Sequence, residues 1–420
     1  MRRRQFLQGF SGLAGAMALG ACGSSSSPSP AAPNSSDDAG SSADGAGGGT
    51  SGASPPVTTP AGPPNDDASV SATLPAWLAV ATLDEWYAIP GTVHAGSPAA
   101  PTDDPMDPYC FSNRRLSYSG MALRDTELVL AACGGHGDYS GNEVTSLDLQ
   151  EDTPTWQLRS AATPTAQVVA DMAYYGDGHP SARHTYWSHH WSSTRNRVML
   201  HRSRFVWGSG ISFDDSNGFD LAASAWDPAH TYAHGYDAAC VDADDNVWAP
   251  SGYDLYKWTA ATDTWEKTLT SATTFGYPIC FDPKRGFLFA FCWGDGEADG
   301  MGVVASKITA DGTVQTPITF NPSAGLTQFQ ADAPYYAGME YDPVNDNYVF
   351  YDGHVGNGRV YVITPNDRTV WDIAVLPLGP DSATPPPVDV TCNRFRYVAR
   401  LKGFVLMAIG SDNVYFLRTA

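Results

Sequence analysis

The chain is short of charge, and above all of positive charge. Charged residues fill 16% of its 420 positions, and 24 lysines and arginines stand against 45 aspartates and glutamates, a formal net charge of -21. That balance repels a polyphosphate backbone and an anionic membrane surface alike, which argues against nucleic acid as a partner. Long hydrophobic runs are missing too. The mildly apolar stretch inside residues 1–22 is too short and too rich in Gly and Ala to span a bilayer as a folded anchor. Cysteine is scarce, at seven, and its meaning depends on compartment: thiols or metal ligands in a cytosol, disulfides outside it. What abounds is 41 Gly and 31 Pro beside 42% hydrophobic residues, a composition suited to many short strands joined by tight turns.

The first residues address the compartment. Arg3-Arg4-Gln5-Phe6-Leu7 resembles a twin-arginine export signal, and Leu19-Gly20-Ala21-Cys22 resembles the lipobox of a bacterial lipoprotein. Together they imply a signal peptide over residues 1–22, cleavage before Cys22, lipid on its thiol and export of a folded domain. Gly23 after the cysteine favours the outer membrane. From about residue 23 to 70 the chain is nearly all Ser, Ala, Gly, Pro, Asp and Thr, which cannot bury a core. It reads as a disordered tether, roughly 35–40 Å in mean span by random-coil scaling.

Beyond the tether one phrase recurs: an apolar strand, a charged turn and a second apolar strand. It appears at 119–133 (SGMALRDTELVLAAC), 185–201, 235–250, 276–292, 337–353 and 393–410. The starts lie roughly 40–70 residues apart, around the ~50 of propeller repeats. A second phrase, turn residues and then Trp, follows three of the hairpins at Trp156, Trp265 and Trp371, while the stretch 309–320 has Val314 where Trp is expected. Gly134-Gly135 follows the second strand of the first hairpin. These features resemble the kelch repeats of the galactose-oxidase central domain, over about residues 83–420. The resemblance implies an all-β, six-bladed kelch-like propeller. Its last blade lacks an outer strand, and 83–91 (LDEWYAIPG), with Trp86 placed like the blade tryptophans, is expected to supply it and close the ring.

In such a blade, the loops after strand two and between blades open on one face, and the turns after strands one and three on the other. The first face receives the long loops rich in Gly, His, Asp and aromatic residues, and eight of the ten histidines fall in or beside them or on the second blade's inner strand. Function is expected there. The candidate ligand-binding residues are His136, Asp138, Tyr139, His184, His230, His234, Trp293 and His354, with Arg115, Arg183 and Arg394. The three arginines each stand at the start of an inner strand, where forked guanidinium groups can grip an anion, or else pair with loop carboxylates such as Asp138 and Asp389. His190 and Glu340, at equivalent inner-strand positions, are candidates for an acid/base pair.

Converging imidazoles suit copper or zinc, but only His230 and His234 approach a ligand spacing, and the Tyr-His dipeptide of a copper-radical oxidase is absent. No cofactor is expected, with copper or zinc as the alternative. With Cys22 lipidated, six cysteines remain for an oxidising periplasm. Cys110–Cys392 at the ring seam is the favoured bridge, with Cys240–Cys280 and Cys280–Cys292 as competitors. The expectation is a monomeric, lipid-anchored propeller in the cell envelope that binds a carbohydrate-like or anionic ligand, or a protein, through its loop-rich face. The alternative is a sugar-active enzyme, a mutarotase, lyase or oxidase, on the same face.

Overall fold

The computed structural model describes residues 73–95, 97, 115–233, 235–271, 274–293, 304–332, 336–351, 353, 358–388 and 390–420, with the side chains of 274–277, 292, 293 and 304 excepted. The described residues fall within the compact unit Gly62–Ala420. The unit is all-β with a single α-helix among the described residues. After β1 (Trp86–Ala88) come β2 (Ala122–Arg124), β3 (Glu127–Ala131), β4 (Val144–Asp148) and β5 (Gln157–Ser160), then β6 (His189–Ser192), β7 (Arg197–Leu200), β8 (Asn217–Asp220) and β9 (Ala225–Trp226). β10 (Cys240–Val241), β11 (Val247–Ser251), β12 (Asp254–Thr259) and β13 (Thr264–Thr270) follow, then β14 (Thr274–Asp282), β15 (Phe287–Trp293), β16 (Val304–Thr309) and β17 (Gln315–Phe320). Helix α1 (Ala324–Asp332) leads to β18 (Gly338–Asp342), β19 (Asn347–Tyr351), β20 (Val360–Thr364) and β21 (Val370–Val375), and the chain ends with β22 (Phe395–Val398), β23 (Gly403–Leu406) and β24 (Tyr415–Arg418).

Each group of four is an antiparallel meander, and every recurring hairpin of the sequence forms the first two strands of one. The fourth and fifth meanders join into one eight-stranded sheet, because β17 pairs in parallel with β21 at Thr319↔Val370 and Phe320↔Trp371. The last sheet has order β1-β24-β23-β22: Trp86, Tyr87 and Ala88 pair with Leu417, Phe416 and Tyr415. The N-terminal strand thus supplies the missing outer strand. Packing starts earlier than residue 83, for Trp77 and Leu78 are buried and the Trp77 indole donates to the Leu149 carbonyl at 3.1 Å.

The period-2 alternation of a strand decides which neighbour each side chain meets. On β3, Leu128 and Leu130 share a core with Val405 and Phe416 of the last sheet, while Val129 and Ala131 pack with Val198 and Leu200 of the second. On β19, Tyr348 and Phe350 meet Phe289 and Phe291 of the fourth sheet, and Val349 and Tyr351 meet Phe404 and Leu406 of the sixth. Trp248 packs with Leu288 and Ala290, third sheet on fourth, and His201 packs on Trp258, second sheet on third. The sheets therefore stack face to face in sequence, and the sixth returns to the first.

Tryptophans fill the gaps between sheets. Trp86 lies edge-on to Tyr351 and Tyr415, its indole donating to the Gly358 carbonyl at 2.9 Å, and Trp371 packs on Phe289. Trp226 lies edge-on to Phe219, its cross-strand partner within the second sheet. Val314 is exposed, so the fourth sheet does without a plug there. Helix α1 buries Phe329, and its Asp332 binds Arg359 and the Tyr361 hydroxyl.

Cys133, Cys240, Cys280 and Cys392 are free thiols. This corrects the favoured Cys110–Cys392 bridge and both alternatives: Cys392 and Cys280 each sit buried within a sheet start and remain unpaired, and Cys240 does not bond Cys280. Cys22 and Cys110 lie outside the described residues.

Two consequences follow. A chain starting at residue 73 should keep the full-length unfolding free energy in a urea titration, whereas one starting at 92 loses Trp77, Trp86 and the β1 ladder and should be less stable by several kcal/mol, about 3–5 from Trp86 alone. The second concerns acid. Burial lowers the pKa of His94 from 6.5 to about 2, aided by Arg115, that of His189 to about 4 and that of His201 to about 3. Above about pH 6.5 these rings are neutral in both states; between about 6.5 and 4 only the unfolded chain takes up their protons. Stability should fall with decreasing pH by about 1.4 kcal/mol per unit for each histidine. A melting series from pH 7 to 4 checks this, and a flat profile would refute it.

Candidate functional site

In an antiparallel hairpin the start of the first strand and the end of the second lie together. Tyr118 precedes β2, His184 to Trp187 precede β6 and Tyr336 precedes β18, while His136 follows β3 and Phe205 follows β7. All five segments therefore meet at one end of their sheets. Their rings form one cluster. Tyr118 lies 4.7 Å from His184 and 5.8 Å from both Tyr186 and Tyr336, and Tyr336 lies 5.7 Å from Tyr186 and 5.8 Å from Trp187. Phe205 is 5.5 Å from His184, and His136 is 5.8 Å from the same imidazole. Tyr118, Phe205 and Tyr336 are half-buried and His136 is exposed, so the cluster offers ring faces and edges outward.

The backbone beneath these rings is strained. Tyr118, His136, Tyr186, Phe205 and Tyr336 have φ of 48°, 45°, 44°, 47° and 53°. Left-handed backbone costs a residue with a Cβ about 1–2 kcal/mol, and bulky side chains rarely adopt it. Main-chain hydrogen bonds hold it: Tyr186 N–H donates to the Tyr118 carbonyl at 2.8 Å, His136 N–H to the Phe205 carbonyl at 3.0 Å, and Cys392 N–H to the Tyr336 carbonyl at 2.7 Å. The Gly134-Gly135 pair makes the first of these loops possible. Gly134 and Gly135 have φ of 101° and 77°, and a Cβ at Gly135 would run into the Arg183 backbone and lie 2.5 Å from the Phe205 carbonyl.

Polar groups edge the rings. His184 Nε2 sits 2.9 Å from Asp138 Oδ2; burial pulls the imidazole pKa down and Asp138 opposes it. The Arg204 guanidinium lies 5.1 Å from the Tyr186 and Phe205 ring centres and donates to Asp237 at 2.8 Å. Burial raises the Asp237 pKa against the pull of Arg204 and Arg202.

Of the other sequence candidates, His230 belongs to a separate group. Its Nδ1 is 2.8 Å from Asp215, and its backbone N–H donates to the Tyr174 hydroxyl at 3.1 Å, with most of the ring exposed. Tyr139 is fully buried and donates to Glu143 at 3.0 Å, which makes it part of the core of its loop. The three arginines do not converge. Arg115 is 0% exposed, paired with Glu143 at 2.9 Å and 2.7 Å from His94. Arg183, also 0% exposed, donates to Asn217 at 2.7 Å and to Ser203. Arg394, 3% exposed, turns back onto the Thr391 and Val390 carbonyls. Burial lowers the pKa of Arg183 and Arg394 to about 10. Each guanidinium serves internal acceptors; Asp389, His234 and His354 lie outside the described residues. The backbone of Trp293 ends β15, but its side chain is not among those described.

The inner strands enclose a cavity of about 290 Å³ lined by β6, β10, β14, β18 and β22. It touches the aromatic cluster at Trp187 and reaches the turns at Pro283, Pro343 and Ala399 at the opposite end. His190 and Glu340 both line it but do not pair. Glu340 accepts the Tyr397 N–H at 2.7 Å and pairs with Arg396; burial raises its pKa, with Arg396 opposing. His190 stacks on His201, ring centres 4.8 Å apart, and apart from a weak approach to the Ser188 backbone its ring nitrogens have no hydrogen-bond partner. Among the described residues no three His, Cys, Asp or Glu side chains cluster to hold a metal.

Four members of the cluster, Tyr118, Tyr186, Arg204 and Phe205, carry no sequence signal as site residues beyond lying in or beside loop segments. Their left-handed or stacked geometry arises only when the loops meet.

No family model matches the chain, and no curated protein matches it. Among solved structures it is similar to an auxiliary nutrient binding protein from Bacteroides thetaiotaomicron VPI-5482, at 9% identity and a TM-score of 0.46, over 79% of this chain and 75% of that one. It is also similar to YjhT, at 9% identity and a TM-score of 0.44, over 71% of this chain and 92% of that one. Similarity at this level carries no argument about ligand or chemistry.

Replacing Asp138 with Asn removes the carboxylate that opposes burial at His184. The His184 pKa should fall further in D138N, and an NMR titration of its imidazole resonances checks it; an unchanged or higher value would show that Asp138 does not act on this ring.

Proposed function

We propose that this chain is an envelope-anchored binding protein that holds an oligosaccharide on the aromatic cluster. In this reading the six meanders are blades of a kelch-like propeller closed by β1, Cys22 carries the lipid, residues 23–70 are the tether, and the folded unit is monomeric. Planar rings at an accessible edge stack on the apolar faces of sugar rings, while His184, Asp138 and Arg204 meet hydroxyl groups or a ligand carboxylate. The observation that carries the reading is the left-handed backbone at Tyr118, His136, Tyr186, Phe205 and Tyr336. Strain of this kind persists where the surrounding structure enforces it and concentrates at binding sites.

A glycan array probed with the purified exported domain tests this. Wild type should select a set of oligosaccharides, and Y118A and Y336A should each weaken binding by about tenfold or more, the loss of one stacking partner. A silent array, or binding indifferent to both substitutions, would refute the assignment.

A further inference from the structure

Two residues that line the central cavity carry polar atoms the fold leaves unspent. The phenolic oxygen of Tyr397 is buried without a partner, and apart from the Ser188 backbone the buried ring nitrogens of His190 have none. Leaving such groups dry costs about 1–3 kcal/mol each. A neutral imidazole presents one donor and one acceptor, and a phenol can do the same. Hydroxyl groups, which both donate and accept, match that set.

Of the three charged side chains lining the cavity, Glu340 and Arg396 pair with each other across adjacent sheets, and Asp242 is the third. An anion entering here would meet Glu340 and a cation would meet Arg396, so that pair favours neither sign of ligand. Cys240 and Cys280 also line the space, and burial raises both thiol pKa values well above the ordinary range, which keeps them uncharged. Asp242 at the wall already accepts from Asn246 and Trp248. Apolar surface from Ile279, Phe281, Met339 and Phe395 completes the lining. The volume, about 290 Å³, lies at the small end of ligand pockets, where a single sugar ring or a cyclic polyol fits.

We propose that this cavity is a second ligand site, distinct from the aromatic cluster, and that it takes a neutral, hydroxyl-rich molecule of monosaccharide size, hydrogen-bonded by His190 and Tyr397 and oriented by the Glu340–Arg396 pair. The inference does not rest on the oligosaccharide reading, since it uses different residues and the cavity reaches the opposite end of the sheets.

Calorimetric titration of the full exported domain with glucose, galactose, mannose, myo-inositol and glycerol, and with glucuronate and glucosamine as charged analogues of glucose, tests the proposal. At least one neutral compound should bind, with glucuronate and glucosamine each weaker than glucose by about tenfold, an energy of about 1.4 kcal/mol. H190F and Y397F, which keep the rings and remove only the polar atoms, should each weaken the neutral ligand by about tenfold, and Y118A should leave it unchanged. Y397F deletes one oxygen, so it remains informative should H190F fold poorly. Failure of every neutral compound to bind, a charged analogue binding more tightly than glucose, or binding unaffected by Y397F would each overturn the assignment. Loss in Y118A with H190F and Y397F unaffected would place the sugar on the aromatic cluster instead, which upholds the oligosaccharide reading and defeats this one.

Discussion

The amide of Asn393 is the contact on which the arrangement depends. It accepts the Met121 N–H at 3.1 Å and donates both its own hydrogens, to the Trp187 carbonyl at 3.2 Å and the His189 carbonyl at 2.6 Å. One side chain thereby ties the entry to the sixth sheet to the entries of the first and second. No other side chain of that size offers an acceptor and two donors without a charge. A carboxylate would face two carbonyl oxygens, and an apolar group would strand three buried backbone groups. The fit leaves no slack, because a Cβ on Gly120 would collide with the Asn393 oxygen. Trp187 and Tyr186 take their places in the aromatic cluster from this knot.

At the other end the sheets are held by aspartates in the turns between first and second strands. Asp125, Asp245 and Asp346 have φ of 53°, 65° and 56°, a conformation that short polar side chains tolerate. Asp245 accepts from Ser192 at 2.6 Å and from the Thr194 N–H at 3.0 Å, Asp346 pairs with Arg285 at 2.8 Å, and Asp125 pairs with Arg400 at 2.7 Å. Each bond crosses to a neighbouring sheet. Part of the acidic excess is therefore turn chemistry, and the strained aromatic loops stand on a base clamped by it.

The hairpins were legible because strand alternation and turn residues are local. So was the role of Trp86, since a sheet one strand short and an orphan strand with a tryptophan define each other. The loop-rich end was legible from its histidines and aromatics, although the cluster is built chiefly from Tyr118, Tyr186, Trp187, Phe205 and Tyr336, with His184 the candidate at its centre and His136 at its edge. The arginines misled for a physical reason. A position at the start of an inner strand says where Cα stands, but burial turned Arg115, Arg183 and Arg394 onto internal acceptors instead of outward. The cysteine pairings failed likewise, because neighbouring positions in the fold do not by themselves meet the specific geometry a disulfide needs, and Cys240, Cys280 and Cys392 remain free.

Short-range pattern in the amino-acid sequence was enough to establish an all-β chain of repeated hairpins, the strand that completes the last sheet, and the end where long polar and aromatic loops gather, because each depends on residues close in the chain or on simple counting. Which rings touch, which backbones are forced left-handed, which arginines withdraw, and how one asparagine joins three sheets were decided only by tertiary structure. Those outcomes rest on contacts between segments up to 272 residues apart, as Asn393 and Met121 are, and on competition for burial that no local pattern records.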